Sequence, residues 1–292
     1  MSKALLQSAL ARIYLDEAVR QELARGERSA LADLGLPAAD EDRLIELVRR
    51  HRSGLELFAQ LLDAKQSAVV RARMPLTLAV AGEEAWQEAW TTWRRSARAE
   101  GAVVPSAAAA RLAAVLLDRL ARQGLDGSPA AEVIAYERCK LLIRSGPSPV
   151  SGPSSSRPRQ EGSAGGRCPL VHRPFVVERF QHNVIQAVAA VRAGRQPPSS
   201  QQAHSLLLVF YCHWQTGGVR VAKATPAVAR LLECCDGVTT TTAIAASFSN
   251  DGATGQGELA GCERALAALS LAGAVIFTAS GKQGAHDGEH GD

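Results

Sequence analysis

The sequence predicts a mainly α-helical protein, with an N-terminal helical domain over residues 1–144 and a C-terminal α+β domain over residues 173–279. Three observations carry that prediction. The chain of 292 residues is 46% hydrophobic but only 4% aromatic, so its cores are built from Ala and Leu, residues of high helix propensity. Up to residue 144 the apolar side chains recur mostly at three- to five-residue spacings, the mark of amphipathic helices. Beyond a stretch rich in Ser, Gly and Pro, short apolar runs and turn signals replace that spacing.

The first helix is predicted over 3–26, with Leu5, Leu6, Leu10, Ile13, Tyr14 and Val19 on one broad face. Residues 29–38 read as a short turn or brief helix ending at Gly35, which suits a left-handed cap, and Pro37, which discourages helix just before it. A second long helix is predicted over 40–65, with Glu41 and Asp42 favourably placed in its first turn. A segment from Ala68 to Met74 leads to Pro75. The next helix carries Trp86, Trp90 and Trp93 at spacings of four and three, which align the indoles in one stripe. That stripe reads as core or inter-helix packing more readily than as an exposed docking face. Two further helical patterns cover 105–122 and 128–144.

Residues 145–172 read as a Ser/Gly/Pro-rich linker, and 195–203 as a shorter polar break. A strand is predicted over 174–180, a helix over 182–193, a strand over 206–211 and a half-exposed strand over 219–223 after the turn Gln215–Gly218. Helices follow over 226–234, where Thr225 is a candidate N-cap with Pro226 in the first turn, over 241–248 and over 256–271. Ala274–Thr278 is a candidate closing strand, and residues 280–292 read as a disordered tail. Strands followed by three short helices make a winged-helix layout. Such a domain either reads a DNA groove or holds an extended peptide between its strand edge and a neighbouring helix.

Catalytic patterns are hard to find. No His pair has the HExxH arrangement; His286 and His290 are four apart, but in a glycine-rich acidic tail, and His51 sits among arginines as solvated surface. Thr239–Thr242 lacks a His–acid partner to activate a nucleophile and reads as capping. The glycines from Gly252 to Gly261 have neither the Walker lysine nor the dinucleotide spacing. The six cysteines contain no CxxC, and Cys234–Cys235 reads as helix-end core filler. A net charge of +4, with cations and anions nearly balanced in both halves, argues against a protein held by phosphate contacts. No signal-peptide pattern and no long apolar run appear, so the expectation is a cytoplasmic protein with reduced thiols and no membrane span.

Leu206–Tyr211, Val219–Val221, Thr225–Leu232 and Cys235–Thr239 together resemble the PqqD-like winged-helix domain, the leader-recognition element of pathways that modify ribosomally made peptides. Ile13–Glu17, Leu34–Leu36, Leu57–Lys65, Pro75–Thr77 and Tyr136–Glu137 are similar to the helical part of proteins that partner the multinuclear non-haem iron oxidases of those pathways. The resemblance implies a peptide strand added beside Val219, Arg220, Val221, Ala222 and Lys223, resting against Leu259, Glu263 and Leu266 of the last helix. It also implies a non-catalytic subunit that needs no cofactor or metal and forms a heterodimer with a separate oxidase. Departures are Gln66-Ser67-Ala68 where the family carries a more basic stretch, and the Thr239–Thr242 run and the Ser/Pro linker. The chain has no room for an oxidase barrel and no iron-ligand cluster. The alternative is a winged-helix transcriptional regulator with a helical sensor or dimerisation domain; Glu258 and Glu263 on the last helix, with only Arg264 nearby, argue against it, because a groove-reading helix presents polar and basic side chains.

Overall fold

Asp16 breaks the long helix expected over 3–26. Its side chain takes an N-cap hydrogen bond from the Ala18 N–H at 2.9 Å, so the segment forms α1 (Lys3–Leu15) and α2 (Glu17–Arg25). The Arg20 guanidinium donates to the Ile13 and Tyr14 carbonyls at 2.8 and 3.0 Å, satisfying the orphan acceptors that a helix end leaves. A 3₁₀ turn over Arg28–Leu34 follows, closed by Gly35 in the left-handed region. The second long helix breaks at His51 (φ −117°, ψ 24°) into α3 (Ala38–Arg50) and α4 (Arg52–Arg71). Ala9, Ile13, Leu23, Leu31, Leu44, Ile45, Val48 and Leu55 meet in the core of these elements.

The computed structural model describes residues 3–97, 104–146, 167–171, 174–198, 205–248 and 256–279. Most of the predicted linker and the predicted tail over 280–292 lie outside them. α5 (Pro75–Ala97) is interrupted at Gly82, whose φ of 78° and ψ of 168° are not helical. Trp86 and Trp90 beyond it are buried and stacked at 6.5 Å. Trp90 donates to Asp63 at 2.9 Å, and Arg94 pairs with the same carboxylate at 2.5 Å. The stripe is therefore packed inward at its first two positions. None of the described helices is long and apolar enough to cross a membrane.

The chain divides into two compact units between Leu116 and Leu117, inside α6 (Pro105–Arg122). The first is helical. The second mixes helix and strand and begins well before the division read from the sequence at 144. α7 (Pro129–Ser145), capped by Ser128, is sequence-adjacent to the helical domain yet packs on the strands of the second unit.

In that unit β1 (Arg167–Val171) pairs antiparallel with β5 (Val275–Ala279), and β2 (Phe175–Phe180), β3 (Leu206–Cys212) and β4 (Val219–Lys223) form an antiparallel sheet in that order. β1 lies in the segment read as linker. α8 (Val184–Arg192) follows β2, and α9 (Pro226–Glu233), α10 (Thr241–Phe248) and α11 (Gln256–Leu271) follow β4.

The three-stranded sheet is covered on both faces. Val176–Phe210 and Phe180–Leu206 are cross-strand pairs, so Phe180 and Phe210 share a face, where both rings meet Tyr136 of α7. Phe175, Val177, Val209 and Tyr211 alternate to the other face and join Leu231, Leu232, Ile244, Leu266 and Val275. A strand with helices on both sides loses the polar alternation of a half-exposed one, and Leu-Leu-Leu-Val-Phe-Tyr-Cys is such a strand.

Candidate functional site

β4 is an edge. The His213 N–H donates to the Gly218 carbonyl at 2.9 Å and the Ala224 N–H to the Leu207 carbonyl at 3.0 Å. These bonds bracket the hairpin, whose register pairs Arg220 with Tyr211 and Ala222 with Val209. Antiparallel bonding alternates, so the main chains of Arg220 and Ala222 face β3, and those of Val219, Val221 and Lys223 face away from it. Among the described residues nothing hydrogen-bonds their outward N–H and C=O groups. An edge of this kind is a template for another strand.

The side chains of β4 divide between the two faces. Arg220 and Ala222 share the face of Tyr211 and Val209; Val219, Val221 and Lys223 share that of Cys212, Phe210 and Leu208. The two valines are half-buried and the other three exposed. α7 contacts β4 on the Phe210 side. Its N-terminal Glu132 is buried and accepts from the Gln181 and His182 backbone N–H groups, with His182 Nδ1 at 3.2 Å. This fixes α7 to the corner between β2 and α8.

On the other face the end of α11 is fastened to the hairpin. Tyr211 donates its hydroxyl to the Ala272 carbonyl at 3.0 Å, and the Trp214 N–H donates to the Gly273 carbonyl at 3.1 Å. Gly273 has a φ of 75°, and a Cβ there would run into the His213 imidazole. Burial pushes the Tyr211 hydroxyl above its ordinary pKa, against a smaller opposing effect from Arg220.

The three α11 residues expected to meet a peptide are split by the helix phase. Leu266, expected beside the peptide, is fully buried and belongs to the core with Val209 and Leu231. Leu259 is half-buried and Glu263 exposed. Cys262, Ala265, Leu266 and Leu269 turn inward, while Arg264, Ala267, Ala268 and Leu271 are exposed with Glu263. Of that outward strip only Glu263 was expected at the site, although the inward 262–266–269 spacing identifies the opposite face.

The Cys-Asp-Gly-Val-Thr string serves the fold. Asp236 accepts from the Val238 and Thr239 N–H groups at 2.8 and 2.7 Å and from the Thr239 hydroxyl at 2.9 Å, and these bonds hold its carboxyl below the usual range. Gly237 (φ 81°) lies against Leu170 and donates its N–H to the Pro169 carbonyl. Cys235 is buried, and burial, with nearby Cys234, Cys262 and Asp236, pushes its thiol up to about 12. Burial and the nearby Glu178 likewise push Cys139 up to about 12. Burial of this kind favours the thiol over the thiolate. Among the described residues no cluster of His, Cys, Asp and Glu could hold a metal ion.

In comparisons with known proteins, no family model matches the chain, and no curated protein matches it.

Proposed function

We propose that the second unit is a winged-helix module of the PqqD-like type that holds an extended peptide as a fourth strand on β4, and that the chain is a non-catalytic partner subunit. In this reading it binds the leader of a ribosomally made precursor peptide and presents it to a separate iron-dependent oxidase. The observation that carries the proposal is the outer edge of β4, whose main-chain groups at Val219, Val221 and Lys223 face outward among the described residues without partners. Backbone pairing supplies affinity in strand addition, and alternate side chains supply selectivity. The exposed face of α11 extends from the helix end anchored at Tyr211.

The oxidase is assigned to the first unit. α4 exposes Leu57, Phe58, Leu61 and Val69, and the first three lie in the Leu57–Lys65 segment that resembles the partner proteins. Exposed apolar residues repeated along one helix mark an interaction surface.

Fluorescence anisotropy with labelled leader peptides encoded beside the gene tests the peptide reading. The expected outcome is a micromolar or tighter Kd, worth about 8 kcal/mol. Val221→Pro removes an outward N–H from an edge strand, a position where proline is tolerated. It should weaken binding at least tenfold, about 1.4 kcal/mol, while leaving the circular dichroism spectrum unchanged. Tight salt-sensitive DNA binding with no response to any leader would establish the regulator instead.

A further inference from the structure

Resting on the strand-addition reading, we infer that the peptide taken up by β4 is acidic, with two carboxylates three residues apart. The inference comes from the two cations that the edge presents. Arg220 and Lys223 are both exposed. Among the described residues neither has a carboxylate within ion-pair distance. On its own face Arg220 is opposite Tyr211, an uncharged neighbour. Lys223 is opposite Leu208, and Leu208 is opposite Glu178. Glu178 is thus two strands away, about 10 Å, and half-buried beneath the influence of Arg138.

Their spacing determines a pattern. Arg220 and Lys223 project to opposite faces of the sheet because they are three apart on a strand. A guest strand in register places one residue beside each, also three apart and also on opposite faces. Opposite charges directly across a pair of strands stabilise them and like charges destabilise them. Beside Val219 and Val221, half-buried on the α7 side, the guest needs apolar residues. Beside Ala222 a larger side chain has room. Run antiparallel, the guest reads acidic, large, apolar, acidic, apolar; run parallel, it reads the same in reverse. Acid-x-x-acid is common to both directions.

The same cations bear on a second copy of this chain. Two β4 edges centred on Val221 would bring four cations into one small sheet, so self-pairing is disfavoured where an acidic guest is favoured. Cations on edge strands have this protective effect generally; here they also bias which strand is accepted.

Selection from a displayed library of random dodecapeptides on the immobilised full-length chain tests the inference. The wild type should enrich Asp or Glu at positions three apart, with aliphatic residues between or beside them. Arg220→Glu with Lys223→Glu should enrich Lys or Arg at the same spacing, and Val221→Pro should enrich none of these peptides. Single Arg220→Gln and Lys223→Gln variants, which change exposed side chains only, should each cost an enriched peptide about two- to five-fold in affinity, and only when the matching acid is present. If the wild type and the charge-reversed chain select the same peptides while Val221→Pro loses them, the charge inference is overturned and strand addition stands. If Val221→Pro keeps the wild-type peptides, or the wild type enriches nothing, strand addition falls as well.

Discussion

Leu266 and Leu271 are five residues apart on α11 and differ only in which way the helix turns them. Leu266 has no exposed surface, whereas Leu271 is 89% exposed. Truncating a buried leucine removes transfer free energy and leaves a cavity, so Leu266→Ala should destabilise the second unit by about 2–5 kcal/mol. Leu271→Ala should fall within about 0.5 kcal/mol of the wild type. Urea unfolding followed by circular dichroism measures both. If strand addition uses the exposed face, peptide binding should show the reverse order among folded variants, with Leu271→Ala weakening it. Equal stability losses would mean that α11 is rotated from the phase described. The distinction matters because a residue that fills the core cannot also select a ligand.

At the scale of elements, the strand over 219–223 was legible because Val-Arg-Val-Ala-Lys alternates and follows a Gly-Gly turn. The span of α11 was legible too, but not its facing, since Leu259, Leu266 and Leu271 are chemically alike and only long-range contacts separate them. β1 was not legible at all. Arg-Cys-Pro-Leu-Val contains a proline beside a Ser/Gly/Pro-rich stretch, and its pairing partner lies more than a hundred residues downstream. The breaks at Asp16 and His51 interrupt apolar patterns that continue across them, so periodicity alone joined four helices into two. Gly82 is a further case. Helix propensity predicts that Gly82→Ala stabilises α5, by about 1 kcal/mol. Its φ of 78° and ψ of 168° lie in a region essentially restricted to glycine, so the substitution should instead cost about 1–3 kcal/mol. No neighbouring atom blocks the added Cβ, which makes the backbone the whole cause. A thermal melt of the variant decides the sign.

For the molecule as a whole, the position of α7 determines where the chain can be divided. Of its seventeen residues, Ala131, Glu132, Val133, Ile134, Tyr136, Glu137, Cys139, Leu141 and Ile143 are buried, too many for a single stripe on a helix with one solvated face. The reason is its role as one layer of the second unit, covering Phe180, Leu208 and Phe210, each at most 1% exposed. Burying a side chain of that size is worth about 1.5–3 kcal/mol, so stripping α7 from this face removes more than a marginally stable domain can lose. A fragment of residues 117–292 should therefore melt cooperatively and retain the peptide affinity of the full chain. One of residues 146–292, cut where the sequence texture changes, should bind a hydrophobic dye and melt without a cooperative transition. If the shorter fragment melts as sharply as the longer, α7 is dispensable to the sheet and the division near 144 is the physical one. If it fails as expected, the strand edge that would receive a peptide depends on a helix encoded before the Ser/Gly/Pro-rich stretch, and the two sides of that stretch form one working unit.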